Sequence, residues 1–567
     1  MEPLGVHSFV LGVAPLLKNG TLHSDSAAKA DILNDQFVSV FTNEDTASLP
    51  DLGPSPHPPL PEFDIGCDGV RKLLSNIKRF TAPGPDNMPA YLLKERAEEL
   101  APIFTLLFQA TLRQGKIPQQ WKSAHVSPIF KKADKHKPEN YRPISLTSIV
   151  CKIMEHIIHS QIIHHLDNNG ILNNKQFGFR KKRSCESQLI LTIDDLAKGL
   201  QNREQIDAIL LDFSKAFDKV PHERLLLKLH HVGVRGTVLS WIRDFLTDRS
   251  QKVILEGKAS KTSQVTSGVP QGTVLGPLLF LVYINDLPDC VTSEIRLFAD
   301  DALLYRPIHT GEDATHLTKD LERLQDWERT WQMSFNPDKC EVLRITNKRT
   351  NIISQQYSIH GAVLRTVNQA KYLGVTIKNN LDWKPHVNNI CKKANSTRGF
   401  LQRNLRKCSP KIKELAYNTY VRPILEYASP VWDPHTKDLI SQIDMVQRRA
   451  ARFVKSDYDP RHSVTQMMRD LQWQSLHERR AHSKAIMLYR ITHGFIAIPS
   501  GPPNLVPSTS HTRGHPMQFQ RHHHRISASL YSFFPSTICL WNNLPASVVA
   551  AQSMEQFRSR LNPLTLR

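Results

Sequence analysis

Two stretches decide the fold: Asp207-Ala-Ile-Leu-Leu-Asp212-Phe-Ser-Lys-Ala-Phe217-Asp218 and Ile295-Arg-Leu-Phe-Ala-Asp300-Asp301-Ala-Leu-Leu-Tyr305. In the first, the apolar run Ala208 to Leu211 predicts a buried strand with Asp212 at its end. A helix is expected after Pro221. In the second, apolar residues on both sides of two adjacent aspartates predict a tight hairpin with Asp300 and Asp301 at its tip. Aspartate is common in turns, so either stretch alone would pass as structural. Together they set carboxylates among apolar strands, where like charges repel and resist desolvation. A divalent cation relieves that penalty. Mg²⁺ typically takes one or two carboxylates plus substrate phosphates. Two such ions can serve a phosphoryl transfer, activating a 3′-hydroxyl and stabilising the leaving pyrophosphate.

The rest of the chain fits a nucleic-acid partner. Its 567 residues suggest about three or four folding units. With 40% hydrophobic and 22% charged residues, wholesale disorder and a fibrous repeat are excluded. Lys and Arg number 73 against 53 Asp and Glu, a formal charge of +20. That surplus favours a polyanion, although a merely basic soluble protein carries it too. The eight cysteines, at 67, 151, 185, 290, 340, 391, 408 and 539, include no C-x-x-C spacing. Neither a zinc knuckle nor a redox motif is readable. Scattered single cysteines suit a reducing, intracellular location, nucleus and/or cytoplasm, rather than secretion. No apolar run approaches the ~20 residues of a membrane span. The run Phe9 to Leu17 is short, lacks a basic leader and is read as structure, not as a signal peptide.

Composition divides the chain. Residues 1–47 read as a short helical segment ending in Phe37, Val38, Val40 and Phe41; residues 48–62 hold six prolines and read as a stiff extended linker. A globular region follows over 63–377, where short apolar runs alternate with helical stretches, an α+β pattern. From 378 to 495 the pattern is helical. Val387, Ile390, Cys391 and Ala394 share one face, as do Ile443, Val446, Ala450 and Phe453, with basic residues off it. Residues 496–567 read as a basic C-terminal segment rich in Pro, Ser and His. His522, His523 and His524, in a row, cannot all face one metal and suit an exposed basic loop.

Nine motifs in order carry a resemblance. TAPGPDNMPAYLLK (81–94), WKSAHVSPIFKK (121–132), ENYRPISL (139–146) and KQFGFRKKRSC (175–185) come first. LDFSKAFDKVPH (211–222), SGVPQGTVLGPLLFLVYINDLP (267–288), FADD (298–301), SFNPDKCEVL (334–343) and KYLGVTI (371–377) follow. The set resembles the reverse transcriptases of non-LTR (LINE-type, jockey-like) retrotransposons, RNA-directed DNA polymerases. It implies a right-hand polymerase of α+β class: fingers and palm over 63–377, with a core reverse transcriptase domain from about 104 and an antiparallel palm sheet. A helical thumb over 378–495 would hold the duplex. The implied partners are an RNA template, a DNA primer and deoxynucleoside triphosphates, with no membrane. The implied cofactor is Mg²⁺, two ions, with Mn²⁺ as a possible substitute.

By resemblance, Asp212, Asp300 and Asp301 match the catalytic, metal-binding carboxylates, Asp212 and Asp300 most directly, and Asp218 is structural. Lys339 matches a lysine that protonates the leaving pyrophosphate. Lys131 (or its neighbour Lys132) and Arg142 match basic finger residues on the triphosphate, and a planar guanidinium suits that task. Phe217 matches the position beneath the incoming sugar, where a ring excludes a 2′-hydroxyl. Gln271, in the turn-like Pro270-Gln271-Gly272, matches a glutamine that contacts the nucleotide. The basic run Arg180, Lys181, Lys182 and Arg183, beside Phe177 and Phe179, suits single-stranded template. Tyr372, Leu373 and Gly374 match the primer-grip hairpin. Relatives of this type place an endonuclease before the polymerase; with only about 80 residues before Thr81 and no C-terminal Cys/His knuckle, this sequence reads as the polymerase part alone. The alternative is a non-catalytic nucleic-acid-binding relic, which would be marked by loss of an aspartate at 212, 300 or 301; an RNA-synthesising polymerase is disfavoured by Phe217.

Overall fold

The structure, a computed structural model, describes residues 12–498, 505–508 and 514–564. Residues 1–11, and with them the first three residues of the Phe9–Leu17 run, lie outside the described residues, as do parts of the 496–567 segment. The chain forms two compact units, each assembled from segments far apart in sequence. One comprises residues 12–179, 213–290 and 323–336, the other 180–212, 291–322 and the chain from 337 onward. The contiguous 63–377 region expected from composition is therefore shared between both units.

The first unit is built on a mixed sheet in the order Tyr141–Leu146, Ser123–Phe130, Arg249–Leu255, Lys258–Ala259, with Ser263–Val265 also pairing with Arg249–Leu255. Ser123–Phe130 runs antiparallel to Tyr141–Leu146 and parallel to Arg249–Leu255. Proline lacks a ladder donor and belongs at edges. Pro143 lies on the edge strand, and Pro128 lies beyond Val126, where the parallel pairing ends. The N-terminal segment differs from the all-helical expectation. Leu16–Lys18 and Thr21–His23 form a hairpin, and the helix Ser26–Val38 starts after Asp25, whose carboxylate accepts the Ala28 N–H at 2.8 Å. Phe41 falls past that helix. Leu33 and Phe37 pack against Val126, Tyr141 and Val253, so the segment shares a core with the sheet. The proline-rich stretch is irregular but tied down: Leu60 N–H donates to Gly233 O at 2.8 Å and Ser55 Oγ to His231 O at 2.6 Å.

The second unit holds a five-stranded sheet in the order Arg365–Val367, Glu341–Ile345, Gln205–Asp212, Asp301–Ile308, Glu294–Phe298. All pairings are antiparallel except Glu341–Ile345 with Arg365–Val367. The hairpin Gln369–Tyr372/Val375–Lys378 leads into helices Lys384–Asn404, Lys437–Lys455 and Leu476–Thr492. Val387, Cys391, Ala394, Ile443, Val446, Ala450 and Phe453, from the faces the sequence periodicity picks out, are buried, and Ile390 is partly buried against them. The C-terminal segment departs from expectation. Phe533, Phe534, Ile538 and Trp541, on helix Phe533–Asn542, and Phe557 are buried in the same core as these helices. Their helical spacing was masked by the Pro, Ser and His around them.

Candidate active site

The second unit places the carboxylates. Strand Gln205–Asp212 is central in its sheet and buried almost throughout, since neighbours cover it on both sides. It surfaces at Asp212, and the antiparallel register sets Asp301 directly opposite. Directly paired residues project to one face with Cβ atoms about 5 Å apart. Asp212 and Asp301 thus share the face that carries Ala208, Leu303 and Tyr305 into the core, at the point where that core ends. The hairpin differs in detail from the expected Asp-Asp tip. Phe298 pairs with Asp301, so the turn residues are Ala299 and Asp300, and Asp301 begins the return strand. Ala299 is buried with φ +53°, a left-handed conformation that costs about 1 kcal/mol outside glycine. Strain of this kind gathers where side chains must be aimed.

The neighbouring strand Glu341–Ile345 is preceded by the tight turn Pro337–Lys339, which brings the Lys339 ammonium to Asp212, Nζ donating to Oδ1 at 3.0 Å. Both side chains stay partly exposed, 48% and 36%, so solvent screening limits the pair to about 1 kcal/mol or less. Among the described residues no three His, Cys, Asp or Glu side chains converge tightly enough to cage a metal ion. Asp212 and Asp301 set two carboxylates on one face, a donor set that a hard divalent cation can share with substrate oxygens and water.

The first unit carries the residues expected at the nucleotide. Phe217 lies on the one-turn helix Ala216–Lys219. Its ring stacks on Phe280 (4.4 Å, 18°) and meets Phe179 edge-on (6.2 Å, 78°). The Gly268–Gly272 loop is laid against this turn: Val269 N–H donates to Phe217 O and Gly268 N–H to Val220 O, each at 2.8 Å. Gln271 O accepts the Ser145 N–H at 2.7 Å, and Gln271 Nε2 donates to Asp218 Oδ1 at 3.0 Å. Phe217, Asp218, Pro143, Ser145 and Gln271 line one cavity. Arg142 is exposed on the edge strand beside Pro143, and Lys131 and Lys132 are exposed just after strand Ser123–Phe130, the Lys131 N–H bonded to Asn140 O at 2.9 Å.

Glycine is required at 272. Its φ is +108°, and a Cβ there would stand 2.6 Å from the Ser145 carbonyl oxygen. Replacing Gly by Ala normally stabilises by about 0.4–1 kcal/mol where the backbone allows it. Here we expect the reverse: Gly272→Ala lowers unfolding stability by about 2 kcal/mol or more, read as a lower denaturant midpoint at unchanged m-value.

Two residues gain weight that sequence reading withheld. Asp218, read as structural, lies in the cavity as the partner of Gln271; burial raises its pKa, and the Gln271 hydrogen bond offsets part of that. Glu155 was not singled out. Fully buried, its Oε2 accepts the N–H groups of Val274 and Leu275 at 2.7 and 3.0 Å, fixing the start of helix Leu275–Tyr283 just after the Gln271 loop. A carboxylate suits a helix N-terminus. The available signal was a lone acid within the apolar run Ile149-Val-Cys-Lys-Ile-Met-Glu155.

The residues expected at template and primer are again on the second unit. Lys181 and Lys182 are exposed and Arg180 and Arg183 partly so; Lys182 has φ +59°, and its carbonyl accepts the Ala497 N–H at 2.9 Å. Leu373 and Gly374 form the two-residue hairpin turn, both with positive φ, and Tyr427 donates its hydroxyl to Leu373 O at 2.9 Å. Tyr372 points into the core, where its hydroxyl accepts the Gln188 amide, leaving Leu373 and Gly374 as the accessible part of the motif.

Residues 130–377 match the family described as Reverse transcriptase (RNA-dependent DNA polymerase). The chain is 29% identical over 408 residues to a probable RNA-directed DNA polymerase from transposon BS of Drosophila melanogaster, covering 70% of this chain and 45% of that protein. It is 28% identical over 408 residues to the RNA-directed DNA polymerase from mobile element jockey of the same organism, covering 69% and 44%. A Pol polyprotein from the type-1 retrotransposable element R2 of Popillia japonica is 26% identical over 269 residues, 43% of this chain and 42% of that protein. The chain thus spans less than half the length of the curated relatives it matches.

Proposed function

We propose that this chain, whose residues 130–377 belong to the reverse transcriptase family, is the RNA-directed DNA polymerase of a non-LTR retrotransposon. It would extend a DNA primer on an RNA template using deoxynucleoside triphosphates. One observation carries the reading: within the matched region, Asp212 and Asp301 face each other across two strands, with Asp300 in the adjoining turn and Lys339 bonded to Asp212.

Asp212, Asp300 and Asp301 would hold two divalent ions, Mg²⁺ with Mn²⁺ as a substitute. When bound, such ions lower the pKa of the primer 3′-hydroxyl and neutralise charge on the leaving pyrophosphate. Lys339 gives its proton to a pyrophosphate oxygen, and its ammonium is already held by Asp212. Arg142 and Lys131 bind the triphosphate, the guanidinium in bidentate fashion. Gln271, braced by Asp218, contacts the nucleotide, and Phe217 lies under the sugar. Leu373 and Gly374 steady the primer, and Arg180 to Arg183 the template. The helices from Lys384 to Thr492 act as the thumb, gripping an A-form duplex by its backbone rather than its sequence. An intracellular site, nucleus and/or cytoplasm, fits the scattered single cysteines of the sequence; among the described residues no helix is long and apolar enough to cross a membrane.

Primer extension tests the reading. With purified chain, a homopolymer RNA, a complementary DNA primer and Mg²⁺, products should lengthen only when the complementary deoxynucleotide is supplied. A folded protein that binds the RNA but never extends the primer would make the chain a relic.

A further inference from the structure

The second unit contains a cavity that none of these roles uses. It measures about 290 Å³, and Tyr417, Arg422, Gln447, Trp473 and Arg479 line it. Gln472 and Asn562, also in the lining, are exposed, so the cavity opens to solvent. Small-molecule sites run from roughly 300 to 1,000 Å³, so this one suits a single small unit rather than a length of strand. The chain widens beside it. Over Tyr417–Val421 the helical hydrogen bonds reach from residue i to i+5, the Arg422 N–H donating to Tyr417 O. Such π turns are rare and occur frequently at functional sites.

Two buried oxygens in this lining are left over. Tyr417 is 1% exposed and Gln447 2%. Tyr417 Oη and Gln447 Oε1 have no hydrogen-bond partner among the described residues. The Gln447 amide is held in place, because its Nε2 donates to Gln474 O at 3.0 Å. Burial raises the pKa of the Tyr417 phenol, which therefore keeps its proton and can donate. Buried polar atoms without partners are costly and uncommon, and a ligand with a polar edge would satisfy both. The neighbouring groups narrow its chemistry. The Trp473 indole lies against the Tyr417 ring (4.5 Å, 21°), and its Nε1 donates to Glu414 Oε1 at 2.8 Å, which fixes its plane. Arg479 donates to both oxygens of Glu426, and Arg422 Nε is 3.5 Å from the same carboxylate. Each guanidinium is a planar fork with several N–H donors, more than one shared carboxylate can occupy.

We propose that this cavity holds one unpaired nucleotide, its base against Tyr417, Gln447 and Trp473 and its phosphate on Arg422 and Arg479. Nucleobases carry donors and acceptors side by side on a flat ring, as the two leftover oxygens require. They stack on aromatic side chains, and guanidinium forks match phosphate. A base already paired in a duplex has its polar edge occupied, so the site selects unpaired nucleotides. The choice of a nucleotide among ligands with these groups rests on the reading of the chain as a polymerase.

The test irradiates the full-length chain with an oligouridine carrying 4-thiouridine, a photoreactive base, and maps the attachment by mass spectrometry. Label should appear at Trp473. Tyr417→Phe keeps the ring and removes only the unpartnered hydroxyl. In that variant the label should fall about tenfold, the worth of a hydrogen bond, while the melting temperature without RNA stays the same or rises. The same base paired within a blunt RNA·DNA duplex should leave Trp473 unlabelled. Labelling by the oligomer alone supports the proposal with a strand as the source; labelling by 4-thiouridine monophosphate as well supports it with the free nucleotide as a second source. No label at Trp473 overturns the proposal, as do equal label in parent and variant and equal label from the duplex. A variant that melts lower also overturns it, making the hydroxyl a packing group. If the parent extends primers but Trp473 is never labelled, this site fails and the polymerase reading stands. If the label behaves as expected without any extension, the site stands and the polymerase reading fails.

Discussion

Asp212→Asn should lower the rate of deoxynucleotide addition by about 10³-fold or more, while RNA binding changes by less than about twofold. Asparagine keeps the shape of the side chain and the strand position opposite Asp301. Its carbonyl oxygen can still accept the Lys339 proton that Asp212 Oδ1 accepts at 3.0 Å. What disappears is the negative charge, and charge placed where it develops in a transition state stabilises that state more than the ground state. Folding should not suffer. Like charges directly opposite across a sheet are destabilising, so removing one leaves the melting temperature unchanged or slightly raised in metal-free buffer. Asp300→Asn should behave alike, and Asp301→Asn should cost less if Asp301 supports rather than leads. Single-nucleotide incorporation in Mg²⁺ on folded variants decides it. Equal rates for parent and Asp212→Asn would remove Asp212 from the chemistry, and the paired-carboxylate mechanism with it.

Sequence reading reached this pair because both of its signals are local. A four-residue apolar run ending in aspartate, and two aspartates between apolar flanks, each announce a strand end. Pairing them asks only for an antiparallel sheet. The hairpin detail was lost because a turn residue and the first residue of a strand look alike in sequence; the φ of +53° at Ala299 settles which is which. Other features depend on contacts between distant segments. Glu155 caps a helix about 120 residues later in the chain, and nothing near it in sequence marks that duty. Tyr372 sits in a motif read as a primer contact, yet its ring fills the core while the turn beside it stays accessible. The C-terminal segment read as a basic loop because averaged composition hides four apolar residues at helical spacing. Composition also suggested contiguous domains, whereas the chain passes between the two units at several points.

Phe217→Val should weaken discrimination against ribonucleotides by about 10²-fold, the range in which a pocket distinguishes substrates by one hydroxyl. Deoxynucleotide incorporation should stay within a few-fold of the parent. The ring is held from two directions, flat against Phe280 and edge-on to Phe179, so it cannot turn aside for an added hydroxyl. Its backbone is fixed as well. Val269 N–H donates to the Phe217 carbonyl at 2.8 Å, and the absent side chain of Gly268 lets that loop approach. Shortening the side chain should therefore empty the space without moving the turn. Phe217 is half-buried, so the lost contacts should cost about 1–2 kcal/mol, less than truncation of a fully buried ring. The two roles for this phenylalanine separate cleanly. A steric gate predicts relaxed sugar selection with modestly lower stability. A packing ring predicts the same loss of stability with selection intact. Steady-state kcat/KM for matched ribo- and deoxynucleotides, measured beside the melting temperature, distinguishes them. A variant that melts earlier yet rejects ribonucleotides as firmly as the parent would return Phe217 to the core and leave sugar selection to another residue of the cavity.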